Sequence, residues 1–178
     1  VLCAKSIVGD EPFAVILSDD LIRGAAPAIG QLAGVYKRHP GAVLAAMKVA
    51  KDQISKYGVV IPSGAPAPGP RITPLKGMVE KPPAHQAPSD LAIIGRYILP
   101  PGIFEALERT PPDAKGEIQL TDGLRLLLEK QPAYAYEFEG KRYDAGDKLG
   151  FLQATVEYAL AREDVGPSFR AYLRNLSL

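Results

Sequence analysis

Two rhythms of apolar positions run along the chain. Residues 13–17, Phe13-Ala14-Val15-Ile16-Leu17, are continuously apolar over a strand's length, the pattern of a strand covered on both faces. Ser18-Asp19-Asp20 then forms a polar stop. A helix is predicted over 25–38, with Ile29, Leu32 and Tyr36 at helical spacing, and Pro40-Gly41 reads as a turn. Residues 42–49 and 57–61 read as buried strands, the second with Gly58 inside it. A stretch rich in Pro and Gly over 62–74 predicts a surface loop or hairpin. Residues 75–80 make a short strand and 91–99 a longer one carrying Gly95. A short helix follows over 103–109. Leu120, Leu124, Leu127 and Leu128 mark one face of another. Tyr134, Tyr136 and Phe138 alternate with Ala135 and Glu137, as in a half-buried strand. Leu149, Leu152, Val156 and Leu160 predict an amphipathic helix, stopped by Gly166-Pro167. Ser168 is placed to cap a last helix through Phe169, Leu173 and Leu176. Strands alternating with helices predict an α/β layered fold with a mixed, mostly parallel sheet.

Composition fits that reading. The chain has 178 residues, 47% hydrophobic and 23% charged, enough for a single core. Lys and Arg number 21 against 20 Asp and Glu, a formal net charge of +1. A nucleic-acid protein relying on a strongly basic surface is thereby excluded. Cys3 stands alone, so no internal disulfide or multi-cysteine metal site is available. The two histidines, His39 and His85, are far apart. No apolar run approaches the roughly 18 residues of a membrane span, and none of these residues reads as a signal peptide. We therefore expect no membrane association and a cytoplasmic location. The opening Val1-Leu2-Cys3-Ala4-Lys5 reads like the second half of a helix, so a fragment is expected.

The candidate chemistry lies at strand ends, where open α/β sheets bind ligands. Asp19 and Asp20 end the first strand. A carboxylate there suits a hard divalent cation, which takes one or two carboxylates plus phosphate oxygens when it is Mg2+; a polar strand terminus or helix cap is the other reading. In Glu80-Lys81-Pro82, Lys81 can act as a point charge on a phosphate and Glu80 as an acceptor for sugar hydroxyls, or the two form an ordinary solvated pair. Gly58 and Gly95, each inside a strand, permit either close approach of a ligand or a β-bulge. In Tyr143-Asp144-Ala145-Gly146-Asp147, Asp144 is another strand-end carboxylate, and Asp147 reads as the cap of the next helix.

The order of these stretches resembles the sugar-1-phosphate nucleotidyltransferases, in particular the bacterial UTP–glucose-1-phosphate uridylyltransferases. The resemblance rests on Gly9-Asp10-Glu11-Pro12-Phe13-Ala14-Val15, Ser18-Asp19-Asp20-Leu21, Tyr57-Gly58-Val59-Val60 and Gly77-Met78-Val79-Glu80-Lys81-Pro82. It continues through Ala87-Pro88-Ser89-Asp90-Leu91, Ile93-Ile94-Gly95-Arg96-Tyr97, Gly116-Glu117-Ile118-Gln119-Leu120-Thr121-Asp122 and Tyr143-Asp144-Ala145-Gly146-Asp147-Lys148-Leu149-Gly150. It covers essentially the whole chain, treated as one nucleotidyltransferase domain (its C-terminal part) with C-terminal helices over 149–178.

The resemblance implies a Rossmann-like fold and Mg2+-dependent transfer of UMP from UTP to glucose 1-phosphate, giving UDP-glucose and pyrophosphate. It implies that Asp19 and Asp144 hold the Mg2+ and that Glu80 accepts from the glucose hydroxyls. Lys81 contacts the sugar phosphate, and Gly58 and Gly95 line the sugar pocket. Ser18 departs from the Gly usual before the acidic pair. The family's opening strand and Gly-x-Gly-Thr-Arg loop, which grip the nucleotide, have no counterpart in these residues. The fold is thus expected to be incomplete at the N-terminus and the 178 residues alone inactive. A homo-oligomer is expected. A non-catalytic relative that keeps a sugar-phosphate site is the alternative.

Overall fold

The computed structural model describes residues 1–176. A helical turn at Leu2–Ala4 and α1 (Lys5–Val8) precede β1 (Phe13–Ile16). Then follow β2 (Asp20–Arg23), α2 (Ala28–Arg38), β3 (Ala42–Lys48), β4 (Gly58–Pro62), β5 (Ile72–Glu80) and β6 (Leu91–Leu99). The order continues with α3 (Gly102–Arg109), α4 (Leu120–Leu127), β7 (Ala133–Glu137), β8 (Lys141–Asp144), α5 (Lys148–Ala161) and α6 (Gly166–Arg174).

Six strands form the main sheet in the order β1-β6-β3-β7-β5-β4, and β2 pairs with β8 in a separate two-stranded sheet. The sheet is mixed, as expected. Its neighbours are not mostly parallel: β3 and β7 run parallel, and the other pairings are antiparallel. Parallel neighbours need a crossover of a dozen or more residues, usually a helix. β4 and β5 are joined by a loop and run antiparallel, while β6 runs in the direction of β5 and is antiparallel to β4, which lies beside both.

Strand pleating puts successive side chains on opposite faces, and β3 shows the result. Ala42, Leu44 and Ala46 face a core shared with Ile103, Phe104 and Leu107 of α3 and Leu124 and Leu127 of α4. Val43 and Ala45 face a second core closed by Ala28, Leu32 and Val35 of α2. Helices therefore cover the sheet on both faces. In β7, Ala133 and Ala135 face the first core, and Tyr134 and Tyr136 pack against the second.

Several sequence expectations are corrected. β1 is an edge strand and not a doubly covered one; its burial alternates, and Ile16 is 54% exposed. The polar stop at Asp20 starts β2, a short strand that only its pairing with β8 sustains. Gly166-Pro167 opens α6, with Pro167 in its first turn, where the missing N–H costs nothing. Ser168 therefore lies inside that helix, and Leu176 beyond its end. In α5 the apolar residues are not the buried face: Leu149, Phe151 and Leu152 are each more than half exposed. The helix instead sets Gly150 and Ala154 against the protein. Small residues there let its first turn reach the end of β8. The last two residues of the expected 149–178 helical region lie outside the described residues.

Candidate functional site

The turn from β1 into β2 carries Asp19 and Asp20, and a buried arginine organises it. Arg96 of β6 donates from Nη1 to the carbonyls of Leu17 (2.7 Å) and Gly95 (2.8 Å), and from Nη2 to the Asp20 carbonyl. The Gly95 amide donates to Asp20 Oδ2 at 2.9 Å. A Cβ on Gly95 would lie 2.6 Å from that oxygen and 2.7 Å from Leu17 Cβ. The close approach at Gly95 is thus made by this chain's own turn.

The end of β8 meets this turn. Asp20 stands opposite Asp144 in the β2–β8 register. Like charges directly opposite destabilise a strand pair, and Arg142, two residues before Asp144 on the same face, offsets them. It donates to Asp20 Oδ1 from Nε, to Asp144 Oδ2 from Nη2 at 3.1 Å, and to the Tyr57 hydroxyl from Nη1 at 2.8 Å. Burial disfavours the charge on Arg142, but Asp20, Tyr57 and Asp144 together outweigh it, and its pKa stands above the ordinary guanidinium value.

Asp19 and Asp144 converge. The Ala145 amide donates to the Asp19 carbonyl at 2.7 Å, tying the two turns together. Asp144 Oδ1 accepts from the Gly146 amide at 3.1 Å. A Cβ on Gly146 would sit 3.2 Å from Asp144 Oδ1 and 3.2 Å from Asp19 Oδ2. The two oxygens are therefore no farther apart than twice that distance, around a space a side chain would fill. Among the described residues no cluster of three or more His, Cys, Asp or Glu forms. Two hard oxygen donors with room beside them nonetheless suit Mg2+, which keeps waters and takes phosphate oxygens for the remainder. Asp147 caps α5, accepting from the Gly150 amide at 3.0 Å.

The other expected residues gather at the β4–β5 pairing. Gly58 stands opposite Glu80. Glu80 Oε2 accepts from the Thr121 hydroxyl at 2.8 Å, and Lys81 Nζ lies 3.6 Å from Glu80 Oε1. Lys81 has φ of 44°, the left-handed region that non-glycine residues seldom occupy. Its amide donates to the Tyr57 carbonyl at 3.0 Å. Strain of this kind tends to collect at ligand sites. Tyr57 thereby joins the two groups, holding Lys81 with its carbonyl and Arg142 with its hydroxyl.

A cavity of about 510 Å³ opens beside Tyr57, Arg142, Asp144, Gly146 and Asp147. A larger one, about 750 Å³, lies elsewhere between the first helical turns and α3. Its lining holds none of the converging carboxylates, so the chemistry favours the smaller space. Tyr57, Arg96, Thr121 and Arg142 carry the site's internal bonds, and sequence reading gave none of them a role. For Arg142 the available signal was its place two residues before Asp144 on a strand.

Strand-end carboxylates on a mixed sheet covered by helices define an α/β protein of the type whose ligands bind beyond the strands. The family model for nucleotidyl transferases matches residues 1–161, and the chain belongs to that family. It is 43% identical over 175 residues to the UTP–glucose-1-phosphate uridylyltransferase of Staphylococcus epidermidis, across 98% of this chain and 60% of that protein. A UDP-glucose pyrophosphorylase solved with UDP-glucose superposes with a TM-score of 0.83 at 40% identity, over 90% of this chain and 61% of the other. The UTP-bound enzyme from Acinetobacter baumannii gives 0.86 at 36%, over 99% and 60%. The chain thus spans about 60% of the length of the curated relatives it matches. Among the described residues no helix is long and apolar enough to cross a membrane.

Proposed function

We propose that this chain forms the metal and sugar-phosphate side of a uridylyltransferase, which transfers UMP from UTP to glucose 1-phosphate and releases UDP-glucose and pyrophosphate. The observation that carries the reading is the convergence of Asp19 Oδ2 and Asp144 Oδ1 at Gly146, with Glu80 and Lys81 tied to the same region through Tyr57. The names of the relatives supply the substrates.

The sugar phosphate brings its own nucleophilic oxygen, so a Ser, Cys or His nucleophile is unnecessary. The work left to the protein is to bring two anions together and stabilise charge at the α-phosphorus. Asp19 and Asp144 would hold the Mg2+, which when bound supplies positive charge to the reacting phosphates. Lys81 supplies a point charge for the sugar phosphate. Glu80, its Oε2 already oriented by Thr121, accepts from sugar hydroxyls. Gly58 faces Glu80 without a side chain, since a Cβ there would lie 3.1 Å from Glu80 Oε2. Gly95 serves the pocket by admitting Asp20. A cytoplasmic location and a homo-oligomer belong to the same reading, the latter supported by the exposed Leu149, Phe151 and Leu152.

The test is pyrophosphate release by the complete gene product with a panel of nucleotides and sugar phosphates. Release strongest with UTP and glucose 1-phosphate supports the proposal. No release with any pair refutes it and leaves the non-catalytic relative.

A further inference from the structure

We propose that Arg142 is a positioning residue, holding the Asp144 carboxylate toward Asp19 and tying that pair to the segment that carries Lys81. The inference rests on the proposed role of Asp19 and Asp144 as cation ligands and adds a residue that acts on them.

A guanidinium is planar, and its N–H groups point in fixed directions. Arg142 spends its three nitrogens on three separate partners. Nε meets Asp20 of β2, Nη2 meets Asp144 of its own strand, and Nη1 meets the hydroxyl of Tyr57. With all three engaged, the group cannot rotate without breaking a bond. The Arg142 and Asp20 side chains are 11% and 10% exposed, whereas that of Asp144 is 42% exposed. The exposed carboxylate is thus anchored to a buried pair.

The two oxygens of Asp144 divide accordingly. Oδ2 turns toward Arg142, and Oδ1 turns toward the space it shares with Asp19. Without Arg142, the Gly146 amide is the remaining bond that orients this side chain. The third arm extends the same control to the other end of the site. Tyr57 receives Arg142 on its hydroxyl and the Lys81 amide on its carbonyl.

Charge alone predicts the opposite effect on a cation. A guanidinium beside a carboxylate pair repels Mg2+, so its removal should tighten cation binding if it acted only through its field. Asp20 neutralises most of that field, because it is buried against the guanidinium and lies closer to it than Asp144 does. What remains is orientation, and its loss loosens binding. Outer partners that orient metal ligands typically change affinity about 10- to 100-fold when removed.

The test measures Mn2+ binding to the complete gene product by electron paramagnetic resonance, without nucleotide. Asp144→Asn marks the site, and Arg142→Gln removes the guanidinium. Because Arg142→Gln leaves the buried Asp20 without its ion partner and endangers folding, the double variant Asp20→Asn with Arg142→Gln is measured beside it. Circular dichroism and melting verify the fold. The expected result is Mn2+ affinity about 10- to 100-fold weaker in the folded double variant. Arg142→Lys should recover only part, since an ammonium cannot fork across both carboxylates. Unchanged or tighter Mn2+ binding in the folded double variant overturns the proposal, as does a wild type with no Mn2+ site that Asp144→Asn removes. Pyrophosphate release is assayed separately on the wild type. If it is absent while the Mn2+ results hold, uridylyl transfer fails and the role of Arg142 stands.

Discussion

Replacing one glycine by alanine should have opposite effects at two helical positions of this chain. At Gly150, in the first turn of α5, a Cβ would lie 2.0 Å from the Asp144 carbonyl oxygen and 2.9 Å from its carbon. Normal contact is about 3.5 Å, and both sides of the clash are backbone, so no rotamer change relieves it. Overpacking costs about 1–3 kcal/mol, occasionally more, and this case belongs at the upper end. Alanine returns about 1 kcal/mol of helix propensity. The net is a destabilisation of about 2 kcal/mol, or roughly 4–8 °C in Tm for a chain of this size. At Gly30, exposed in α2, a Cβ would meet nothing within 4 Å. Gly30→Ala should therefore gain up to about 1 kcal/mol from propensity alone. Urea unfolding of the two purified variants, followed by far-ultraviolet circular dichroism, measures both. A Gly150→Ala chain as stable as the parent would refute the close packing of α5 on β8, and with it the placement of Asp144.

Lys81→Ala in the complete gene product should lower pyrophosphate release by orders of magnitude with Tm unchanged, because the Lys81 side chain is 63% exposed and supports little structure; near-normal turnover would sink its assignment to the sugar phosphate. Asp147→Ala should lower stability by about 1 kcal/mol through loss of the α5 cap, as read from urea midpoints. The Tyr97 phenol has its pKa raised, by burial first and then by Glu80 and Asp20. Its contribution is fully present below the unfolded tyrosine pKa of about 10 and declines above it, by up to about 1.4 kcal/mol per pH unit. Tyr97→Phe should flatten that alkaline decline, and equal slopes for the two proteins would exclude the effect.

The parts of the fold that were legible are those whose pattern is local. Residues 91–99 are apolar almost throughout, and β6 spans Leu91–Leu99. The helical spacing of Ile29, Leu32 and Tyr36 falls within α2. β2 and β8 were not legible: Asp20-Leu21-Ile22-Arg23 and Lys141-Arg142-Tyr143-Asp144 are short and charged, and each is a strand only because the other pairs with it. The direction of β5 and β6 was missed for a related reason, since an apolar run does not state what lies beside it. At the site, Asp19, Glu80, Lys81 and Asp144 came from motif order. Arg142 and Asp20 are 122 positions apart, and no spacing rule spans that gap.

The division of charge between buried and exposed groups shows which residues are free to meet a ligand. Asp20, Arg96 and Arg142 are largely enclosed and have their polar atoms engaged within the chain. A buried ion pair is a weak source of stability, because desolvation offsets most of its attraction. Its value here is directional, because the Asp20–Arg142 pair crosses from β2 to β8 and fixes how the two turns face each other. Lys81 and Asp144 remain 63% and 42% exposed, with hydrogen-bonding capacity left over. An unfavourable local geometry at Lys81, held by the Tyr57 carbonyl, aims the exposed cation of this set. The chain thus uses its enclosed charges as framework and leaves one cation and the Asp19–Asp144 pair open, which is the complement required by a phosphate bound together with a divalent metal.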